Sequence, residues 1–148
     1  LAVPHSAVLA AAAAGMHVTI AHPPGYELNP AILEKAGPWC RAAGADLRVT
    51  NDQMDACRSA DALYVKSWGS PAHYGRPDEQ KASLEQHRGW RVDTGHLGPR
   101  TILMHCLPVR RNVVITDAAL NDPRCVVVDQ AENRMWTKVA IFGRLLGE

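Results

Sequence analysis

Aromatic side chains are scarce in this 148-residue chain, at 5% of its composition, and neither sign of charge prevails. Sixteen Lys and Arg stand against fifteen Asp and Glu, for a net charge of +1 at pH 7. A nucleic-acid surface needs a basic field interleaved with stacking rings, so nucleic-acid partners are not expected, nor is attraction to an anionic membrane. No apolar run approaches the roughly 20 residues that cross a bilayer. The four cysteines (Cys40, Cys57, Cys106, Cys125) lie far apart, with no C-x-x-C and no paired Cys/His spacing, and the seven histidines are equally dispersed. A zinc site or a disulfide framework is therefore not expected. Reduced thiols in a cytosol are, which predicts a cytoplasmic location. An initiator Met is also missing. The opening "LAVPHSAVLAAAAAG" has no basic n-region and leads into a helix and then a strand pattern, so it reads as a chain beginning in the middle of a fold rather than as a signal peptide.

What is present is a regular alternation. Ser6 predicts an N-cap, residues 7–14 a helix and Gly15 its stop. "HVTIA" predicts a strand over 17–21. Asn29-Pro30 opens a second helix, interrupted at Gly37-Pro38 and resumed over 39–43. "DLRVT" and "ALYV" are strands, with a small helix between them capped by Asp52. A polar helix over 78–87 follows, then the strand "TILM", the short helix "DAAL" and a last strand "RCVVVD". A closing helix from Ala131 places Met135, Val139, Phe142 and Leu146 on one face. Strand and helix in alternation predict an α/β domain: a Rossmann-like, doubly wound, mostly parallel sheet with helices on both faces.

In such a sheet ligands bind at the carboxyl ends of the strands. Four segments are placed there: "HPPGYELNP", "KSWGSPAHYG", "HCLPVRRN" and "QAENR". The Leu-Pro bond of "HCLP" admits a cis turn that aims the Cys106 and Leu107 carbonyls outward, as acceptors for an amide or amine. Cys106 is a possible nucleophile with His105 as its base. Neighbours on a strand point to opposite faces, however, and a Cys among apolar residues is usually a small buried hydrophobe. Arg110 and Arg111 suit a carboxylate or phosphate, against a solvated surface pair. Arg134 sits on the first turn of the last helix, a place for an anion or a carbonyl; the competing reading is an ion pair with Asp129 or Glu132. Lys66 ends a strand and can meet a carboxylate or simply extend into solvent, with Trp68 beside it as an apolar wall. The glycine-rich phosphate signatures are absent, which weighs against a nucleotide-binding domain.

"HCLPVRRN" followed by "QAENR" resembles the aspartate/ornithine transcarbamylase superfamily. With "AVPHS", "HPPGYEL" and "YVKSWG", the sequence is similar to the N-acetylornithine and N-succinylornithine carbamoyltransferases, from residue 2 to about 142. The resemblance implies the second, amino-acid-binding domain of a two-domain transcarbamylase, spanning 1–148, with the N-terminal carbamoyl-phosphate domain absent from this chain. It implies a reaction in which the δ-amine of an N-acylornithine attacks carbamoyl phosphate in arginine biosynthesis, in a homotrimer, with no metal or organic cofactor. It assigns the carbamoyl amino group to the carbonyls of Cys106 and Leu107, with Cys106 near the attacking amine. Arg134 polarises the carbamoyl oxygen, Lys66 and Arg110 hold the acylated substrate, and His105 orients the turn. Position 5 is His where the family pattern has Asn, and Val114 stands where some acetylornithine enzymes carry Lys. A competing expectation is a noncatalytic binding or scaffold module that retains the fold.

Overall fold

The computed structural model describes residues 2–67 and 69–147. The chain divides into two compact units. The first runs through Ser59 and takes in the segment from Ser67 to Trp90; the second holds Ala60–Lys66 and the chain from Arg91 on.

In the first unit, β1 (Val18–Ala21) and β2 (Leu47–Thr50) pair in parallel, Val18 opposite Leu47 and Ala21 opposite Thr50. Helices α1 (Ala2–Ala13) and α2 (Pro30–Ala42) pack through small side chains. Val8 and Ala12 meet Ala36, Cys40 and Ala45, with Leu9, Ile20 and Ile32 around them. Gly15 ends the α1 segment at φ +72°, and a Cβ there would lie 3.1 Å from that of Ala43. Helix α1 begins four residues before the predicted N-cap Ser6. Pro4 falls in its first turn, where no intrahelical bond needs its missing N–H. Helix α2 is likewise uninterrupted. Its Pro38 is exposed, so the carbonyl left without a donor one turn back can be hydrated, while Gly37 is buried. Asn29 caps α2 through Ala31 N–H (3.0 Å), and Asp52 caps α3 (Gln53–Cys57) through Asp55 N–H (2.9 Å), both as read from the sequence. Helix α4 (Pro77–Gln86) completes this unit.

In the second unit, β3 (Ala62–Val65) pairs in parallel with β4 (Ile102–His105), Val65 opposite His105. Its core is Leu103, Val114, Ile115 and Ala119, with Val92 and Leu97. Leu103 is wholly buried, a burial that favours folding by about 1.5–3 kcal/mol. Helix α5 (Asp117–Leu120), the predicted "DAAL" helix, is capped by Thr116, whose hydroxyl accepts the Ala119 N–H at 3.1 Å. Arg124 fastens the approach to β4. It donates to both Asp122 oxygens at 2.7 Å and to the Leu97 and Gly98 carbonyls at 2.9 Å. Its side chain is the main cause that lowers the Asp122 carboxyl to about 2.

Parallel α/β construction is as the alternation predicts, but not as one continuous ladder. Among the described residues there are two separate two-stranded pairs. The predicted last strand "RCVVVD" is reduced to one bridge, Cys125 opposite Leu103. From Val127 the chain is already α6 (Val127–Leu146), which therefore begins four residues earlier than predicted. Three β-branched residues in a row favour a strand only where a neighbour continues the pairing. The predicted apolar face of that helix, Met135, Val139, Phe142 and Leu146, is 53–75% exposed rather than core.

Candidate functional site

The carboxyl ends of β3 and β4 and the first turns of α6 lie in the same unit, and with them Lys66, His105, Cys106, Leu107 and Arg134. Of the four predicted strand-end segments, "HPPGYELNP" belongs to the other unit, as do the residues after Lys66. Trp68, the predicted apolar wall, lies outside the described residues.

At the end of β4 the backbone turns sharply. The Leu107-Pro108 bond is cis, and Leu107 itself is left-handed at φ +50°. A left-handed Leu costs about 1–3 kcal/mol, so the surroundings must hold it. His105 does so, since its Nδ1 accepts the Leu107 N–H at 2.9 Å. An accepting Nδ1 leaves the proton of a neutral ring on Nε2. The ring is 1% exposed, and Nε2 has no hydrogen-bond partner among the described residues. Burial, and secondarily the charge of Lys66, lowers its pKa below the usual 6.5, so the ring is neutral at pH 7. No hydrogen bond joins His105 to Cys106, which is half-buried and lies just beyond the last residue of β4. The geometry provides no Cys-His dyad. It provides a turn whose Cys106 and Leu107 carbonyls follow a strand end.

The charged residues around this turn fall into two sets. Arg111 is committed to structure. Its Nε pairs with Asp117 at 2.8 Å, and Asn112 donates to the other Asp117 oxygen at 2.9 Å while accepting the Asp117 N–H at 3.0 Å. That carboxyl is held below its usual pKa by the Asn112 bond first, then by Arg111. Arg110, Arg134 and Lys66 have no ion pair among the described residues, so the competing reading of Arg134, an ion pair with Asp129 or Glu132, is not formed. Arg110 is exposed. Arg134 and Gln130 lie beside Ile102 and Met104 on an open groove of about 770 Å³ between β4 and α6.

Two residues absent from the sequence reading belong to this cluster. Gln130 Oε1 accepts the His105 N–H at 3.0 Å. Tyr64, opposite Met104 on β3, has its phenol pKa raised by partial burial first and by Cys106, against the opposing influence of Gln130 and the charge of Arg134. Period-two alternation from Lys66 would have found Tyr64, and helical spacing back from Arg134 would have found Gln130. Val114, at the departure from the family pattern, is core, and His5 Nε2 accepts the Asn29 N–H at 3.4 Å. Among the described residues no group of three or more His, Cys, Asp or Glu is placed to hold a metal ion.

Parallel strands that end in a carbonyl turn, with Lys66 and Arg134 free of ion pairs among the described residues, define the site of this α/β domain. Residues 2–145 match the family described as aspartate/ornithine carbamoyltransferase, Asp/Orn binding domain, and the chain belongs to that family. It is 35% identical to the N-acetylornithine carbamoyltransferase of Xanthomonas campestris pv. campestris, over 99% of this chain and 44% of that protein. It is 39% identical to the ornithine carbamoyltransferase of Methanothermobacter thermautotrophicus, over 97% of this chain and 48% of that protein. A crystal structure of N-acetyl-L-ornithine transcarbamylase superposes with a TM-score of 0.88 at 36% identity, covering 97% of this chain and 44% of the other. A further crystal structure, of acetylornithine transcarbamylase complexed with acetylcitrulline, gives 0.87. The chain thus spans a little under half the length of the relatives it matches.

Proposed function

We propose that this chain is the acylornithine-binding, C-terminal domain of a carbamoyltransferase. The reaction moves the carbamoyl group of carbamoyl phosphate to the δ-amine of an N-acylated ornithine, giving an N-acylcitrulline and phosphate, and so belongs to arginine biosynthesis. The observation that carries the reading is the end of β4: two carbonyl acceptors in a turn held by neutral His105, beside Arg134 and Lys66, which have no ion pair among the described residues. In this reading the Cys106 and Leu107 carbonyls accept the carbamoyl N–H groups and fix the plane of the reacting carbon. Attack by the amine draws negative charge onto the carbamoyl oxygen, and Arg134 stabilises it there. Lys66 and Arg110 take the carboxylates of the acylated amino acid, and Cys106 lies beside the incoming amine. No covalent step is required, since positioning and charge stabilisation lower the barrier together. The phosphate is held by residues outside this chain, and the working assembly is a homotrimer in the cytoplasm.

Relatives named for both ornithine and N-acetylornithine match the chain at similar identity. The "VRRN" extension and the neighbour complexed with acetylcitrulline favour the acylated acceptor. The test is product formation by the intact protein from carbamoyl phosphate with N-acetyl-, N-succinyl- and free ornithine. Turnover with an acylated ornithine is expected. Turnover with free ornithine alone overturns the acceptor, and no turnover with any of the three favours the binding-module reading.

A further inference from the structure

We propose that Gln130 is a positioning residue: its side chain ties the first turn of α6, and with it Arg134 one turn further on, to the backbone of β4 at the His105 turn. The consequence for turnover rests on the carbamoyl-transfer reading above; the tie itself does not.

The argument starts from a ladder that stops short. Along β4 the N–H groups of Leu103 and His105 point to the same side, two residues apart. Leu103 N–H donates to the Arg124 carbonyl at 2.8 Å, and Val126 N–H donates back to the Leu103 carbonyl at 2.9 Å, as in a parallel sheet. The next acceptor along that edge would be the Val126 carbonyl. It is already taken by the N–H of Gln130 at 2.8 Å, in the opening turn of α6. His105 N–H is left without a strand partner, next to a side chain that is 1% exposed. A buried N–H without an acceptor costs about 1–3 kcal/mol, and the Gln130 side-chain carbonyl removes that cost at 3.0 Å. One amide thus replaces the missing strand and fixes where the helix starts relative to the turn.

Arg134 follows Gln130 by four residues and so lies on the same helix face, and both border the groove beside Met104. Fixing Gln130 therefore fixes the distance from Arg134 to the Cys106 and Leu107 carbonyls. The amide group is also the right chemistry. With Oε1 accepting from His105, the donors of Gln130 remain for Tyr64, whose phenol Gln130 influences. A carboxylate would accept from His105 equally well but would put a negative charge beside Arg134.

The experiment uses the intact protein with Gln130→Met, which keeps the length and loses the acceptor, and Gln130→Glu, which keeps the acceptor. In Gln130→Met the amide of His105 should exchange about tenfold faster, with the Leu103 and Val126 amides unchanged. Its kcat should fall about 10- to 100-fold, while KM for the acylornithine stays within about twofold. Gln130→Glu should keep the His105 amide protected. Unchanged exchange at His105 in Gln130→Met, or lost protection in Gln130→Glu, overturns the tie. A kcat within about twofold of the unaltered protein, or a loss of kcat matched by both KM values and by Tm, overturns the positioning role. If the unaltered protein transfers no carbamoyl group, the reaction assignment fails by itself, and the exchange measurement still upholds or overturns the tie.

Discussion

The two parallel ladders among the described residues are the same length, four paired positions each, yet their carboxyl ends differ in kind. Beyond β1 and β2 the polar groups are mutually satisfied. Asn51 donates to the His22 carbonyl at 2.7 Å, Thr50 accepts the Asp52 N–H at 3.0 Å, and Asp52 then caps α3. Beyond β3 and β4 they are not. Lys66, Arg110 and Arg134 have no ion pair among the described residues, and His105 Nε2 is buried without a partner. Native interiors rarely leave a buried group such as His105 Nε2 over, so an end that does so is shaped for something that binds there. Strand-end position alone does not separate the two; unsatisfied polarity does.

Substitutions at the two ends should therefore part activity from stability. The largest effect expected is from Arg134→Ala, which removes the charge proposed to face the developing oxyanion. Its kcat should fall about 10²- to 10³-fold, while unfolding free energy stays within about 0.5 kcal/mol because the side chain is exposed. Steady-state kinetics and a denaturant titration of the same sample check both halves.

His105→Ala should affect stability as well, by about 1–3 kcal/mol, because the Leu107 N–H loses its acceptor. His105→Asn, which can offer an oxygen in place of Nδ1, should recover part of that. His105 also has a pH signature. Its folded pKa lies below the unfolded 6.5, so the unfolded chain binds the proton more readily. Its contribution to stability is present above pH 6.5 and is lost as pH falls through the folded pKa. Denaturant midpoints measured from pH 7.5 down to 5 should decline, and the decline should be shallower in His105→Asn.

Lys66→Ala and Arg110→Ala should raise KM for the acylornithine by about tenfold, the loss of one charge-assisted hydrogen bond, with a smaller change for carbamoyl phosphate. Equal changes for both substrates would contradict their assignment. The smallest effect belongs to the satisfied end. Asn51→Ala should cost about 1 kcal/mol of stability and leave turnover unaltered. A loss of turnover there would erase the distinction between the two ends.

Much of the open end was legible in the sequence because its chemistry is local. "HCLP" gives the turn, "AENR" the cation on a helix, and Asp52 and Asn29 cap the helices as their side chains predict. The errors were at places where partners in space overrule local preference. Val126-Val127-Val128 read as strand, but beyond Cys125 the pairing ends and the helix begins. The supposed break at Gly37-Pro38 is absorbed because Pro38 faces solvent. Gln130 was missed for the same reason. Its role exists only because the strand stops early and leaves His105 N–H to be satisfied. The apolar residues of α6 were legible as a face, but not their exposure in this chain.

The claim that the His105–Leu107 turn receives the carbamoyl group is tested most directly by a crystal structure of the intact protein with carbamoyl phosphate and N-succinyl-L-norvaline, which has no δ-amine to react. The account predicts the carbamoyl nitrogen about 3 Å from the Cys106 and Leu107 carbonyl oxygens and its oxygen at the same distance from Arg134. Carbamoyl density away from this turn, or at the end of β1 and β2, would contradict it.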